Sequence, residues 1–242
     1  ISKVITLFFF FFITRFLGVE QYGTYAFALG FAGLFVILAD LGINNFSRRE
    51  IAVHPKRISY FVSNALLIKL LLSIVTIGLT VAVVALLGYD RPTIILTVLA
   101  ILTLVVETLT GCFNAAFVAL QKVSYTTAIK VIRVFLRFAV ILPLLIMGLG
   151  AFEVMIVFLA SQVLSFIAHF IYYNRVLTRF SWEGKLQDAW LTLKRGLPFG
   201  IATIFIIIYF KIDISMLSYI QGEYAVGIYS AAYTLLEGLY YI

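Results

Sequence analysis

The 242-residue sequence contains one cysteine, four prolines, two histidines and two tryptophans, and only 12% of it is charged. The single Cys112 excludes an internal disulfide. A soluble domain carries about 25% charged residues, so this chain has too little charge to cover a water-facing surface. His54 and His169 have no companions at metal-ligand spacing, so neither a metal nor another cofactor is expected. No Gly-rich loop runs into Lys and Ser or Thr, which excludes a P-loop nucleotide site. No nucleophile–base arrangement appears, so the chain does not read as an enzyme. The first residues, beginning at Ile1 inside an apolar run, do not resemble a cleavable signal peptide.

What is present is apolar. Hydrophobic residues make up 63% of the chain and the mean hydropathy is +1.10. They fall into eight runs, near 1–17, 23–46, 59–87, 93–119, 126–147, 152–174, 198–219 and 225–242. About 20 apolar residues cross a bilayer as a helix, so the expected fold is an all-α polytopic transmembrane bundle. Pro92 and Pro198 stand where a helix would start, a place that needs no amide donor. Gly148 and Gly150 end the fifth run, and Pro143 is expected to kink it.

The charge distribution sets orientation. The net charge is +7, but the basic residues sit between apolar runs and on one side of the membrane, which argues against nucleic acid as a partner. Arg48, Arg49, Lys56 and Arg57 follow the second run, and Lys122 follows the fourth. Arg175, Arg179, Lys185, Lys194 and Arg195 follow the sixth, whereas the other connections hold only Arg15 and Arg91. The rich side is therefore expected to be cytoplasmic, in a multi-pass inner or plasma membrane protein. Within the connector 175–196, Leu186, Ala189, Trp190 and Leu193 share one helical face. They predict a short interfacial helix anchored by Trp182 and Trp190.

One phrase occurs twice. Gly18, Gly23 and Tyr25 recur as Gly222, Gly227 and Tyr229, each displaced by 204 positions. Each copy sits between two apolar runs, with an even number of runs separating them. Equal orientation predicts two lobes related by an axis along the membrane normal. The expected organisation is a six-helix N-terminal lobe (1–174), the connector (175–196) and the first two helices of a second lobe (197–242). Glycine would let the chain turn tightly and two helices approach, with the tyrosines at the interface. Since the second lobe then has two helices of six, the sequence reads as an internal piece of a longer chain.

The stretches "RFLGVEQYGTYAFA", "LADLGINNFSRREIA" and "KIDISMLSYIQGEYAVGIYSAAY" resemble the Wzx-type flippases of polysaccharide biosynthesis. That superfamily also holds the MATE drug exporters and the lipid II flippase. The resemblance implies export of a polyprenyl-diphosphate-linked oligosaccharide to the outer leaflet, by alternating access between two lobes. Polysaccharide-assembly proteins would be possible partners.

Charges within membrane helices cost about 2.5–3.5 kcal/mol each on insertion scales and need a reason. The fifth run holds Lys130, Arg133 and Arg137 on one face, and the third holds Lys69, Ser73, Thr76 and Thr80. The fourth holds Thr103, Glu107, Thr110 and Asn114; the last two hold Lys211, Asp213, Ser215, Ser218, Ser230, Tyr233 and Glu237. Such stripes suit helices lining a wet cavity. At about 1.5 Å per residue, Lys69 and Arg137 lie about 15 Å from the cytoplasmic end, and Glu107 and Lys211 about 20 Å. Two readings stay open. Arg137, Lys69, Arg133 and Lys211 form a cationic cavity for a diphosphate, with Glu107, Asn114, Asp213 and Glu237 lining it or carrying a coupling ion. Alternatively they pair internally, Glu107 with Arg137 and Lys211 with Glu237 or Asp213. Lys130 and Arg133 are both shallow enough to reach the cytoplasmic interface, an alternative to the cavity for Arg133 as well. Asp40 suits the helix-ending turn of "ADLGINN". A multidrug/cation antiporter should have an acidic or aromatic cavity instead, whereas a lipid II flippase fits the same charge. A membrane-embedded glycan polymerase would need large outer loops.

Overall fold

The computed structural model describes residues 2–240, with side chains from Phe12 onward apart from some positions in the last two helices. Lys211 and Glu237 are among those positions, so their side chains lie outside the described residues. Among the described residues every regular element is helical. The α-helices are α1 (Ser2–Phe35), α2 (Ile43–Val53), α3 (Ile58–Leu86), α4 (Arg91–Ala119), α5 (Val123–Ile146), α6 (Ala151–Tyr172), α7 (Leu186–Gln221) and α8 (Glu223–Tyr240). The chain is an all-α polytopic bundle. The stretches Phe12–Ala39, Pro55–Leu86, Arg91–Ala119 and Ala151–Leu177 are each long and apolar enough to cross a membrane. Helix α5 has the length but carries Lys130, Arg133 and Arg137, too much charge for a helix surrounded by lipid.

Two boundaries depart from the sequence reading, while the expected break between the first two apolar runs is present. It lies at Gly18, whose non-helical backbone (φ 73°, ψ 172°) divides α1 into two helices. Only glycine adopts that conformation without strain. The Arg-rich stretch expected as a loop is mostly the helix α2. It buries Ile43, Phe46, Ser47 and Ile51 on one face and turns Arg48 and Arg49 outward. Charge marked the segment as a connection, while its helical spacing of apolar residues decided its structure. Finally, Pro198 is not a helix start. Helix α7 begins at Leu186 and runs through it. Proline removes one amide donor there, but burial of Ala189 and Leu193 holds the preceding turns in place. Leu186 and Trp190 on the same helix stay exposed.

The packing has two apolar layers. At the Arg-rich end Ile43, Val62, Phe113, Phe117, Tyr173 and Ala189 form one cluster, with Phe113 edge-on to Phe166, Phe170 and Tyr173. At the opposite end Phe27, Phe31, Ala100, Ile141, Met155 and Val226 form the other. Tyr25 belongs to this second cluster, 7% exposed and edge-on to Phe158. It is a core residue, not an interface ring, because the helices of both repeated turns meet here and cover it.

The repeated glycines make the tightest crossing at that end. A Cβ on Gly23 would overlap the Glu223 carbonyl, and one on Gly227 would overlap the Val19 carbonyl. Val19 and Glu223 are themselves 204 positions apart, so the contact is reciprocal. Gly18 and Gly222 also share a conformation, the latter with φ 79° and ψ −178°. The crossing is tied by the Glu223 carboxylate, which accepts from Thr24 and from Thr93 (2.8 Å). Nearby, Tyr89 and Ser218 share a hydroxyl hydrogen bond of 2.9 Å. At the Arg-rich end a second glycine contact forms: Gly42 (φ 79°) and Leu41 (φ 42°) press their backbone against Gly196 and Gly200 of α7. Two small residues four apart allow that approach.

Gly23→Leu or Gly227→Leu must separate α1 from α8, a cost of about 1–3 kcal/mol for overpacking. Thermal unfolding in lipid nanodiscs is expected at clearly lower temperature for either variant. Gly78→Leu, where added atoms meet open space, should leave it unchanged.

Candidate functional site

The polar layer between the two apolar clusters begins with Lys69. Its side chain is fully buried, lies 2.5 Å from an Asp40 carboxylate oxygen and donates to the Thr108 carbonyl at 2.8 Å. Asp40 also accepts from the Asn44 amide at 3.3 Å, which starts α2 across the turn at Leu41 and Gly42. One ammonium group thus joins α3, α4 and the break between α1 and α2. A buried cation needs such partners.

Beside this pair lies a cavity of about 310 Å³. Asp40, Asn44, Glu107, Asn114, Lys130, Arg133, Gln162, Ser165, His169 and Thr203 line it. They come from the turn before α2, from α2, and from the Arg-rich halves of α4, α5, α6 and α7. Arg133 donates to the Gln162 side-chain oxygen. His169 lies 2.7 Å from the Ser165 carbonyl through Nδ1. A carbonyl can only accept, so Nδ1 holds a proton, which leaves Nε2 as the ring atom facing the cavity. That Nε2 has no hydrogen-bond partner among the described residues, and neither do Asn44 Oδ1, Asn114 Oδ1, Arg133 Nε, Gln162 Nε2 or Ser165 Oγ. All six belong to cavity-lining residues. Buried polar atoms left unpaired are costly, so this wall is built for water or a polar guest. With Lys69, the layer holds three cationic side chains against Asp40 and Glu107, a small positive surplus.

The residues singled out from the sequence divide into groups. Arg133, Glu107 and Asn114 share the cavity wall. Lys69 does not line it and sits behind it, paired with Asp40. Arg137 is one turn further from the Arg-rich end. It donates to Ser161 Oγ at 3.0 and 2.8 Å and stacks 3.8 Å over the Phe158 ring. Among the described residues it makes no ion pair with Glu107. Asp213 lies elsewhere, accepting from the Tyr229 hydroxyl and its neighbour's amide. Lys211 and Glu237 are outside the described side chains. The hydroxyls of Thr76, Thr80, Thr103 and Thr110 donate to carbonyls one turn back in their own helices and are buried; the α3 pair faces protein, whereas Thr110 lies on the cavity wall with Glu107 and Asn114.

Sequence reasoning missed Gln162, Ser165 and His169. They recur at i, i+3 and i+7 on α6, the same spacing that marked the basic stripe of α5. His169 weighed only as a metal ligand looked isolated. Asp40, read as a turn residue, is also the counter-ion of Lys69. Among the described residues no cluster of His, Cys, Asp and Glu is suited to a metal.

The sequence model of the polysaccharide biosynthesis proteins matches residues 1–239. The chain belongs to that family. It is the family of the Wzx-type flippases, membrane transporters in polysaccharide synthesis. No curated protein and no solved structure matches the chain.

Asp40→Asn leaves the buried Lys69 ammonium without its counter-charge, at a cost of about 3–5 kcal/mol. Purified protein should unfold at a markedly lower temperature. Adding Lys69→Met to Asp40→Asn is expected to restore much of the loss. Additive effects of the two changes would contradict the pairing.

Proposed function

We propose that this member of the polysaccharide biosynthesis family moves a polyprenyl-diphosphate-linked oligosaccharide from the cytoplasmic to the outer leaflet. The observation that carries this is a polar cavity in the Arg-rich half of the bundle, where Lys130 and Arg133 face Glu107 while Asp40 is held by Lys69 behind the wall, with a glycine crossing and an apolar layer at the other end. Taking the Arg-rich end as cytoplasmic, in the inner membrane, the cavity faces the side on which the lipid-linked sugar is made. A diphosphate inside a bilayer needs charged donors in place of water, and the Arg133 guanidinium supplies a forked pair. Glu107, Asn114 and Gln162 offer acceptors and donors for sugar hydroxyls. Arg137, one turn deeper, is the next cation on the path. Lys211 and Glu237 remain candidates on the second lobe.

The reciprocal contact of the repeated turns supports alternating access between two lobes, 1–174 and the unit that starts at 197, joined through 175–196. Parting Gly23 from Gly227 would open the outer side, and closing the cavity walls would shut the inner one. Asp213, Glu107 and His169 are the groups available to couple an ion to that exchange.

The test is a leaflet-exchange assay with a labelled polyprenyl-diphosphate oligosaccharide in proteoliposomes. Losing a charge-assisted contact worth about 1.5–3 kcal/mol predicts that Arg133→Gln slows the initial rate about ten- to a hundredfold. Normal rates in a well-inserted Arg133→Gln protein would remove Arg133 from the site. Transport of small organic cations in place of the lipid by wild type would overturn the reading in favour of an antiporter.

A further inference from the structure

A second cavity, about 270 Å³, runs along the outside of α5 and α6. Its walls are apolar and open to the bilayer: Ile132 is 57% exposed, Leu136 54% and Leu164 61%. Tyr125 and Tyr172, with ring centroids 6.0 Å apart, bound it at the Arg-rich end. Arg133 and Ser165 line both this groove and the polar cavity. The groove is therefore the lipid-facing side of the wall whose other side is the polar cavity. From Tyr125 to Leu136 it follows α5 for eleven residues, about 17 Å at a helical rise.

We propose that this α5–α6 groove holds the isoprenoid chain of a lipid diphosphate while Arg133, at the junction, holds the diphosphate. The inference rests on the transport reading above and adds a tail site to it. Such a substrate has two incompatible ends, one needing hydrocarbon and one needing charge. The Arg133 and Ser165 junction is where this protein brings the two environments within one side chain's reach. The Arg133 guanidinium already uses one nitrogen on Gln162, while Nε is buried and has no partner among the described residues. A phosphate oxygen entering from the groove would satisfy it. Gln162 fixes the direction of the guanidinium, and the small Ala128, Ser161 and Ala168 leave room for the chain. A phospholipid acyl chain would also fit hydrocarbon walls, but its phosphate is held at the membrane surface by its glycerol. It would gain nothing from a guanidinium about 15 Å inside helix α5.

The test uses the full chain in proteoliposomes with a polyprenyl diphosphate carrying a diazirine near its diphosphate. Irradiation is expected to label the α5–α6 segment, with excess unlabelled polyprenyl diphosphate competing and phosphatidylglycerol not competing. Leu164→Trp, which fills the groove, should abolish that labelling, and Ile74→Trp, on a lipid-exposed face of α3, should not. Labelling that phosphatidylglycerol suppresses equally, or that survives Leu164→Trp, would overturn the proposal. Leaflet exchange is measured on the same vesicles. If wild type moves the lipid but α5–α6 is not labelled, the tail site is wrong and the transport reading stands. If it neither moves nor is labelled by the lipid, both fall.

Discussion

The buried Lys69 ammonium is the constraint on which the site depends. Hydrocarbon cannot solvate it, so the fold must bring it a carboxylate and a carbonyl. Asp40 and Thr108 fill those roles, and meeting them fixes three elements at once. The chain must break after Ala39, turn through Leu41 and Gly42 with positive φ, and restart as α2. That turn places Asn44 on the cavity wall, where Gly111 of α4 leaves space for its amide. It also presents the bare backbone that nests against Gly196 and Gly200. Lys69 is thus best understood as a positioning group: it spends its charge on architecture, whereas Arg133 keeps a buried Nε with no partner among the described residues.

The two glycine contacts hold the same pair of chain regions together at opposite ends of the membrane, by different means. Near Gly23 and Gly227 two helices cross reciprocally, with few polar ties beyond Glu223 and its two threonines. Near Gly42 a turn is wedged against a GxxxG pair on α7, next to the connector. A crossing built from glycines has little side-chain interlock, so parting it exposes backbone and small surfaces only. A wedge that shares its turn with a buried ion pair is harder to release. This asymmetry suits a hinge at the Arg-rich end and a gate at the other.

The fold class was legible because hydropathy reports burial in lipid directly, and long runs left no room for strands. Local boundaries were less so. Arg48 and Arg49 hid the apolar face of α2, and Pro198 suggested a start where tertiary contacts of Ala189 and Leu193 had already set the helix. Within the site, stripes on single helices identified Arg133, Glu107 and Asn114 as companions. Stripes cannot say what a residue faces across the bundle, which is why Lys69 read as a cavity cation and Asp40 as a cap. Helix α6 escaped notice because Gln162, Ser165 and His169 carry no fixed charge, although their spacing was as regular as that of the arginines opposite.

Water access to the α4–α6 wall tests the account most directly. With Cys112, which is buried, replaced by alanine, single cysteines go in at Asn114, Gln162 and His169, and separately at Ser73 and Thr76. A charged, membrane-impermeant thiol reagent is then applied to the Arg-rich side of sealed vesicles. The account predicts rapid labelling at the first three positions and none at the buried pair on α3. Silence at Asn114, Gln162 and His169, or equal labelling at Ser73 and Thr76, would contradict a polar entry built into this half of the bundle.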